Sequence, residues 1–394
     1  MRVLLVGAGA DVSVSDVAYG LYDGLKASGA ETYYYALSDR LWIAEHGLRA
    51  AWQRMGRPPE KQPSYADMTY TASAGILERA LRYEVDWVLV VSGLYLHPDA
   101  LVLARRAGLK VGVVFTESPY DDLAQLRLAR LVDACWTNER TSLAALRQAC
   151  PNVGYYRHGY DPEKHRPDPC EVGAIKGPLV VSCFPSGTTP RSDGPAVACT
   201  GTARQPTNQE AYHDVVFVGT GFPERAEMIR AVDWSGIDLG LYGVWDKRQL
   251  GRAKRYVQGG IVSNADASAL YRRAKIGLNL YRQSYGPSPM HTLAPRIRHA
   301  ESLNPRAVEL AACGVFHLTD ERAEGREVFG DSVPSFSTPA QLGELVRGFL
   351  ADPLARVEHA RQAREAIAPY TFAASAAHLL ADLETIRQPL AKGA

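Results

Sequence analysis

Short runs of apolar residues alternate along the chain with longer segments in which apolar residues recur at helical spacing. The continuous runs are typical of strands buried on both faces, and the spaced ones of helices that cover a sheet. In the first half the pattern predicts strands at Arg2–Val6, 32–37, Trp87–Val91, Lys110–Phe115 and Ala134–Thr137. Helices are predicted from about Asp16 to a stop signal at Gly29, and over 98–107, 121–132 and 140–149.

A second series with the same order of elements begins near residue 214. Its predicted strands are 214–218, 237–242, 276–280 and 315–318. Its predicted helices are Pro223–Ala231, 267–273, Pro305–Ala312 and two or three more between about 339 and 386. Residues 159–212, between the two series, are rich in Pro, Gly, Ser, Thr and Asp, with one strand-like run at 179–183. This composition is typical of a linker or an irregular insertion.

The sequence therefore predicts the α/β class, with two tandem Rossmann-like, doubly wound domains that face each other across a cleft. We expect an N-terminal domain over 1–165, a linker or insertion over 166–212 and a C-terminal domain over 213–369. The last helix, about 370–388, is expected to pack back on the first domain. Because ligands of open α/β sheets bind outside the carboxyl ends of the strands, the cleft is the expected site.

Composition narrows the class of protein. A chain of 394 residues is longer than one core usually holds. The formal net charge of +1 lacks the basic excess of a non-specific nucleic-acid binder, although a local basic patch stays open. The sequence has neither a signal-peptide pattern nor an apolar run long enough to span a bilayer, which predicts a cytoplasmic protein. Its six scattered cysteines favour free thiols, and we expect no metal site.

The segment 301–309, with the sequence ESLNPRAVE, has the pattern of a helix start that binds an anion. Pro is favoured in the first turn of a helix and Asn at the N-cap, here Asn304. The amides of Ser302, Leu303 and Asn304 would then point out of the helix N-terminus, where a diphosphate binds well.

Two charged side chains of the same segment extend this interpretation. Arg306 lies in the first turn, where a cation is unfavourable for the helix dipole unless it faces a phosphate. Glu309 follows one turn later, and its carboxylate suits both hydroxyls of a ribose. The alternative is an ordinary capped helix with a surface Glu–Arg pair, and the spacing leaves both interpretations open.

Glycines and arginines after two predicted strands are further candidates for phosphate contacts. The turn after 214–218 contains Gly219 and Gly221, whose amides suit a phosphate, and Arg225 follows. Arg282 follows the strand predicted at 276–280. The alternative for the glycine turn is a tight strand-to-helix connection with a solvated arginine.

The loop 7–16 after the first strand resembles a dinucleotide loop only in part, since Val12 stands where a third glycine is expected. We interpret it as lining the cleft, with Gly9, Asp11 and Asp16 near an acceptor. Asp16 is equally well explained as an N-cap.

Two other strand ends carry polar residues. Glu117 follows the strand Lys110–Phe115 and is the first candidate for a catalytic or acceptor-binding carboxylate. The alternative is a helix start in which Pro119 makes the turn and Asp121 the cap. His158 ends another predicted strand, and either contacts substrate or forms a hinge.

Several ordered motifs resemble the CgeB-like, spore-maturation-type glycosyltransferases of the GT-B fold. In the second half these are DVVFVGTGFPER at 214–225, DLGLYGVW at 238–245, LYRRAKIGLNLYR at 270–282, SLNPRAVELAACGVFHLTD at 302–320 and EVFG at 327–330. In the first half they are FTESPYDD at 115–122 and HGYDPEKHRP at 158–167. The resemblance covers most of the chain outside about 168–212.

The resemblance implies roles for individual residues. Glu301 and Glu309 reproduce the E-x7-E spacing of retaining GT-B enzymes, so Glu309 would bind the donor ribose and Glu301 would lie near the sugar and the diphosphate. Tyr242 and 261–264 would lie by the base. Arg225, Arg282 and Arg306 would hold phosphates, so that neither a metal ion nor another cofactor is needed. Retaining relatives often carry glycines directly after the first Glu, where this chain has Ser302-Leu303-Asn304, so the inverting alternative stays open.

We therefore expect a hexosyltransferase-like enzyme that transfers sugar from a UDP-sugar or other nucleotide-sugar to an acceptor hydroxyl, with retention of configuration. Donor binding is expected in the second domain and acceptor binding in the first. The acceptor can be a protein, a glycan, a small molecule or a modified DNA base. If the enzyme inverts, the base must come from Asp11, Asp16, His97 or Glu117. The alternatives are an epimerase or phosphorylase on the same fold, and a protein that binds nucleotide or sugar without catalysis.

Overall fold

The structure is a computed structural model that describes residues 1–9, 14–167, 213–284, 297 and 299–387. Asp11, the strand-like run 179–183 and almost all of the expected insertion 166–212 lie outside these residues. The described chain forms two compact units. One comprises the described residues of Met1–Arg157 and the C-terminal helix from Phe372, and the other comprises 158–167 and the described residues between 213 and 371.

Each unit contains a parallel sheet of six strands. The first sheet has the strand order β2-β1-β3-β4-β5-β6 and the second the order β12-β11-β10-β7-β8-β9. The strands are β1 Arg2–Val6, β2 Glu31–Tyr35, β3 Trp87–Val91, β4 Lys110–Phe115, β5 Ala134–Thr137, β6 Val153–Tyr155, β7 His213–Val218, β8 Leu239–Tyr242, β9 Val257–Gly259, β10 Ala274–Asn279, β11 His317–Asp320 and β12 Ser335–Phe336.

Helices connect the strands and cover the sheets. Those of the first unit are α1 Ser15–Ala27, α2 Leu37–Arg54, α3 Tyr65–Ser73, α4 Gly75–Arg82, α5 Asp99–Arg106, α6 Asp122–Ala129 and α7 Leu143–Arg147. Those of the second unit are α8 Pro223–Ala231, α9 Lys247–Leu250, α10 Asn264–Arg272, α11 Pro305–Ala312, α12 Ala323–Phe329, α13 Pro339–Ala351 and α14 Pro353–Ala366. The last helix, α15, is Phe372–Arg387. The predicted α/β class with two doubly wound parallel sheets is confirmed.

Buried strands form the centre of both units. All five residues of β3 are buried, as are five of the six residues of β4. Continuous burial of this kind requires cover on both faces of the sheet, and the parallel register of β3 with β4 supplies the backbone hydrogen bonds.

The C-terminal helix packs on the first unit, against α1. Phe372 and Ala376 contact α1 where Gly20 and Gly24 lie, so closely that a side chain at either glycine would collide with them. Leu379 and Leu383 are buried in the same apolar cluster as the odd-numbered residues of β1. Trp136 of β5 also donates a hydrogen bond of 2.7 Å from Nε1 to the carboxylate of Asp382.

The segment 158–167, which follows β6, packs with the second unit. The amide of Tyr160 donates to the carbonyl of Tyr370, and Pro167 lies against Gly314. Arg272 of α10 donates to the carbonyls of Lys164 and Arg166. By its contacts the chain therefore changes unit at Arg157, whereas the sequence pattern extends the first domain to 165.

Some predicted elements differ from the structure at their ends. The second strand, predicted at 32–37, ends at Tyr35 because Leu37 begins α2 and is buried on that helix. The strand predicted at 315–318 lies two residues later, at His317–Asp320. In the region predicted as a helix over 140–149, a 3-10 turn, Arg140–Ser142, precedes the short α7.

Candidate functional site

The second sheet changes winding direction between two neighbouring strands. From β7 the chain proceeds through β8 to β9 on one side, whereas β10, β11 and β12 lie on the other side. The helices that follow β7 and β10 therefore leave in opposite directions, and a crevice opens outside their carboxyl ends. We call this place the switch edge: residues 219–225 after β7, residues 280–284 after β10, and the start of α11.

The start of α11 is a capped helix terminus at the switch edge, as predicted. The Asn304 side chain accepts a hydrogen bond from the Ala307 amide at 3.0 Å, and Pro305 occupies the first turn. The same side chain donates to Asn279, the last residue of β10, at 2.9 Å. Asn279 donates in turn to Thr319 of β11, at 3.2 Å. These bonds tie the positive end of the helix dipole to the ends of two strands.

Glu309 and Arg306 form an ion pair on α11, one turn from its start. Arg306 donates to Oε2 of Glu309 at 2.8 Å, and the exposed fractions of the two side chains are 22% and 9%. The pair is thus largely buried, unlike the surface pair that the alternative interpretation requires. Arg306 also lies over the ring of Tyr271, with its guanidinium carbon 5.3 Å from the ring centre. The other oxygen of Glu309, Oε1, has no hydrogen-bond partner among the described residues.

Not all amides of the predicted anion site face outward. The Leu303 amide donates to Oε2 of Glu324 at 2.7 Å, and Glu324 is fully buried. The Glu324 amide donates to the carbonyl of Glu301. The Leu303 amide is therefore directed into the protein, and Ser302 is buried beside it. Glu301 itself is exposed.

The glycines after β7 extend the sheet. Gly219 donates to the carbonyl of Tyr242 and Gly221 to that of Val244, so both amides are used within the protein. The two strand ends lie so close that a Cβ on Gly243, whose φ is +121°, would be 2.1 Å from the Gly219 carbonyl oxygen. A phosphate contact from these two amides would compete with the inter-strand bonds.

Arg225 and Arg282 reach the switch edge from opposite sides. Arg225 donates from Nε to the carbonyl of Leu280 and from a terminal nitrogen to that of Thr220, both at 2.8 Å. It therefore braces the end of β10 against the turn after β7. The guanidinium of Arg282 lies 4.7 Å from the ring centre of Phe222.

The hydroxyl of Tyr242 points away from the switch edge. It lies 2.9 Å from Nε2 of His213, the first residue of β7, whereas Tyr242 itself pairs with Val218, the last residue of that strand. The side chain therefore runs back along the sheet. The opposite ring nitrogen of His213 lies 3.0 Å from Asp238, and burial raises the pKa of Tyr242 to about 12.

The acceptor-side candidates lie in separate loops. Gly9 has φ +76° and packs against Tyr95, the half-buried Glu117 follows β4, and Asp16 lies in the first turn of α1. The N-cap of α1 is Val14, so the interpretation of Asp16 as the cap is wrong. His97 lies 3.7 Å from Asp99, and its ring meets that of Tyr70 edge to face. His158 is buried, and burial lowers its pKa to about 4, so this imidazole is neutral at pH 7.

Four charged residues of this region were not among the sequence-based candidates: Glu224, Asp320, Arg322 and Glu324. All four hold backbone groups of residues 280–284 or 300–303. Burial raises the pKa of Asp320 to about 6. The sequence does carry one sign of Asp320 and Arg322: both are charged residues shortly after the apolar strand predicted at 315–318, where ligand-binding side chains are expected.

Among the residues that the structure describes, no three His, Cys, Asp or Glu side chains are grouped so that they could bind a metal ion. Within the same residues, no helix combines the length and the apolar character needed to cross a bilayer. The cysteines in this part of the chain, Cys135, Cys150 and Cys313, are buried and carry free thiols.

Comparison with known proteins adds a match of the second half of the chain to a family model, and a fold. A family model described as glycosyl transferase-like matches residues 225–381, which include Arg282, Asn304 and Glu309. No curated protein matches the chain significantly.

Solved structures match along nearly the whole chain. A sucrose-phosphate synthase from Thermosynechococcus elongatus has a TM-score of 0.60 at 11% identity, with 98% of this chain and 99% of that one covered. The Anabaena protein Alr3699/HepE, solved in complex with UDP-glucose, has a TM-score of 0.58 at 13% identity, with 98% and 100% covered. The chain has the GT-B fold. A UDP-N-acetylglucosamine 2-epimerase also matches, with a TM-score of 0.51 at 12% identity and 96% and 94% covered.

Proposed function

We propose that this protein is a glycosyltransferase that moves a sugar from a nucleotide-sugar donor to an acceptor hydroxyl. One observation carries the proposal: Arg282, the capped start of α11 and Glu309, whose Oε1 accepts no hydrogen bond from the described residues, belong to one edge of one sheet. The match to the glycosyl transferase-like family model spans the same residues, which favours sugar transfer over the other activities of the fold.

Each part of a nucleoside diphosphate has a proposed partner at the switch edge. Oε1 of Glu309 accepts a hydrogen bond from a ribose hydroxyl, and its bond to Arg306 fixes the carboxylate in the orientation required. Arg282 and the N-terminus of α11 receive the diphosphate, because a guanidinium and a helix N-terminus both favour negative charge. UDP-glucose bound to the similar Anabaena protein supports a UDP-sugar as the donor.

The proposed reaction breaks the bond between the anomeric carbon and the diphosphate oxygen, whose electron pair stays on the diphosphate. The acceptor oxygen forms the new bond to the same carbon and loses its proton. In a retaining enzyme this proton passes to the leaving diphosphate, which is the course we propose from the spacing of Glu301 and Glu309. Arg282 and the helix N-terminus then stabilise the leaving group without a metal ion, so activity should persist in EDTA.

We further propose that the enzyme belongs to the CgeB-like group and that the first unit binds the acceptor. Gly9, Asp16 and Glu117 follow strands of the first sheet at their carboxyl ends, or lie in the helix that begins there. Ligands of such sheets bind at that edge.

Thermal shift with a panel of nucleotides and nucleotide-sugars tests the donor site. Wild type should be stabilised by one nucleoside diphosphate and its sugars, whereas Glu309→Ala should need at least about tenfold more ligand for the same shift. Glu358→Ala, which removes an exposed carboxylate of α14, is the matched control and should behave as wild type. Absence of any stabilisation of wild type would contradict the proposal.

The product of a donor incubation separates the two activities that share the fold. A transferase releases the nucleoside diphosphate in proportion to added acceptor, whereas an epimerase converts the sugar nucleotide without any acceptor. Conversion of a nucleotide-sugar to its epimer in the absence of acceptor would therefore replace this proposal by the epimerase.

A further inference from the structure

Residues 280–284, here called the Arg282 loop, directly follow β10 at the switch edge. Side chains from other elements hold the first half of its backbone. Arg225 donates to the carbonyl of Leu280 at 2.8 Å, and the amide of Tyr281 donates to Asp320 at 2.8 Å. Arg322 donates to the carbonyl of Arg282 at 3.3 Å. The loop is thus fixed by one residue of α8 and by two residues at the end of β11 and just after it.

Glu224 holds the second half of the loop. Its Oε1 accepts hydrogen bonds from the amides of Gln283, at 2.5 Å, and Ser284, at 3.0 Å. Its Oε2 accepts one from the Ser284 hydroxyl at 2.6 Å. Glu224 is only 8% exposed, so these three bonds form in surroundings where water competes poorly. Burial alone would raise the pKa of Glu224, but the bonds from Ser284 and Gln283 outweigh it and keep the pKa below its usual value.

The fixed backbone orients the Arg282 side chain. Nε of Arg282 donates to the carbonyl of Ser284 at 2.8 Å, the same residue whose amide and hydroxyl bind Glu224. The guanidinium also stacks over the ring of Phe222, with its carbon 4.7 Å from the ring centre. A buried carboxylate therefore acts on the guanidinium through one residue, Ser284.

We propose that Glu224 and Asp320 are positioning residues, which hold the Arg282 loop so that Arg282 meets the diphosphate of the donor without rearrangement. The inference rests on the proposed function, and adds two residues that never touch the substrate. A cation already fixed in place stabilises developing charge at no cost of reorganisation during the reaction. A displacement of about 1 Å can cost about 100-fold in rate.

A purely structural role for Glu224 makes a different prediction. If the carboxylate only stabilised the fold, its loss would lower the melting temperature while the folded enzyme kept its kcat. If it positions Arg282, the folded variant loses kcat more than it loses affinity for the donor. The separation of kcat from KM therefore distinguishes the two roles.

Steady-state transfer is measured on wild type, Glu224→Ala and Glu224→Gln, with Glu227→Ala as the matched control on the exposed face of the same helix. Glu224→Ala should lower kcat by about 10- to 100-fold and change the donor KM by less than about threefold. Glu224→Gln keeps an oxygen for the two amides and should stay within about threefold of wild type. If Glu224→Ala does not fold, Glu224→Asp replaces it, because the shorter side chain withdraws the carboxylate from the amides.

Chemical rescue tests the connection to Arg282 directly. Arg282→Ala should regain at least about tenfold in kcat when methylguanidinium is added, because the carbonyl of Ser284 and the Phe222 ring still form the slot that receives a guanidinium. The double variant Arg282→Ala/Glu224→Ala should gain less than about twofold, because without Glu224 the carbonyl of Ser284 is no longer fixed in place to bind the added guanidinium.

Two results would overturn the inference alone: kcat of folded Glu224→Ala equal to that of wild type, or equal rescue of the single and double variants. Failure of the proposed function looks different. In that case titration calorimetry finds no binding of UDP or any other nucleoside diphosphate to wild type, and the inference falls with it.

Discussion

Burial shifts the pKa values of two residues on β11 in opposite directions. It lowers the pKa of His317 to about 4 and raises that of Asp320 to about 6. The ordinary values are 6.5 and 3.8. As the pH falls from 7 to 5, His317 takes up a proton more readily in the unfolded chain, so its titration lowers the free energy of unfolding of the protein. Asp320 takes up its proton more readily in the folded protein, so its titration raises the free energy of unfolding over the same range.

Replacing His317 or Asp320 by a residue that does not titrate should therefore have opposite effects on how much the free energy of unfolding falls between pH 7 and pH 5. His317→Asn keeps a donor for the carbonyl of Val315 and should abolish a loss of roughly 2 kcal/mol in the free energy of unfolding between pH 7 and 5. Asp320→Asn keeps an acceptor for the Tyr281 amide and should make the acid loss larger. Urea unfolding at both pH values measures the slopes. Equal slopes in wild type and His317→Asn would contradict the assignment.

At the scale of residues, the sequence predicts a functional side chain when its contacts are with neighbours along the chain. It does not predict one whose partners are distant in sequence. Asn304 is recognisable because its cap depends on neighbours three residues away. Glu224 is not, since an acid in the first turn of a helix has an ordinary explanation in the helix dipole. Its actual partners, Gln283 and Ser284, come from a strand end about sixty residues later.

At the scale of elements, the contact of α1 with α15 depends on glycine. A Cβ at Gly24 would lie 2.6 Å from that of Ala376 and 3.0 Å from the carbonyl oxygen of Phe372. The axes of the two helices can approach this closely because positions 24 and 20 carry no side chains. Glycine is otherwise unfavourable inside a helix, so its presence here reflects packing.

Gly24→Ala should destabilise the first unit by about 1–3 kcal/mol, because the added methyl group forces α15 outward. Gly47→Ala is the matched control: Gly47 also lies inside a helix, α2, with nothing within 4 Å of the added methyl group. It should be neutral or stabilising by about 0.5–1 kcal/mol. Thermal melts of the two variants decide the point, and equal melting temperatures would contradict the packing argument.

Elements with strong local signals are predicted closely. The strands β1, β3, β4 and β5 and the helices α8 and α11 have the predicted bounds, because apolar runs and flanking Pro or Gly mark them. The strand predicted to end at His158 is β6, which already ends at Tyr155. The pattern does not predict β9 or β12, which are two or three residues long, partly exposed and at the edges of their sheet. Such strands exist through pairing with a neighbour, which sequence periodicity does not report.

At the scale of the whole molecule, the sequence predicts the GT-B fold because the same series of strands and helices occurs twice. It also predicts that the last helix returns to the first domain. The order of the strands within each sheet follows from the structure, since local patterns do not determine which strand neighbours β7.

Removal of α15 should unfold the first unit selectively. Phe372, Leu379, Leu380 and Leu383 are buried there, and each contributes about 1.5–3 kcal/mol, a sum comparable to the whole stability of a domain. A chain that ends at Tyr370 should therefore expose its first 157 residues to protease while the second unit stays resistant. A chain that ends at Arg387 is the control. Equal protection of both units in the shorter chain would contradict this.

The return of α15 to α1 also fixes the order in which the parts of the molecule are completed during translation. All described residues of the second unit, 158–167, 213–284, 297 and 299–371, precede α15 in the chain, so they leave the ribosome before the helix that the first unit needs. The half that is synthesised first is therefore finished last. Until then the apolar cluster that contains Val17, Leu21 and Leu25 lacks the side chains that α15 contributes to it. We expect chaperones that bind nascent chains to contact this incomplete cluster until α15 is synthesised.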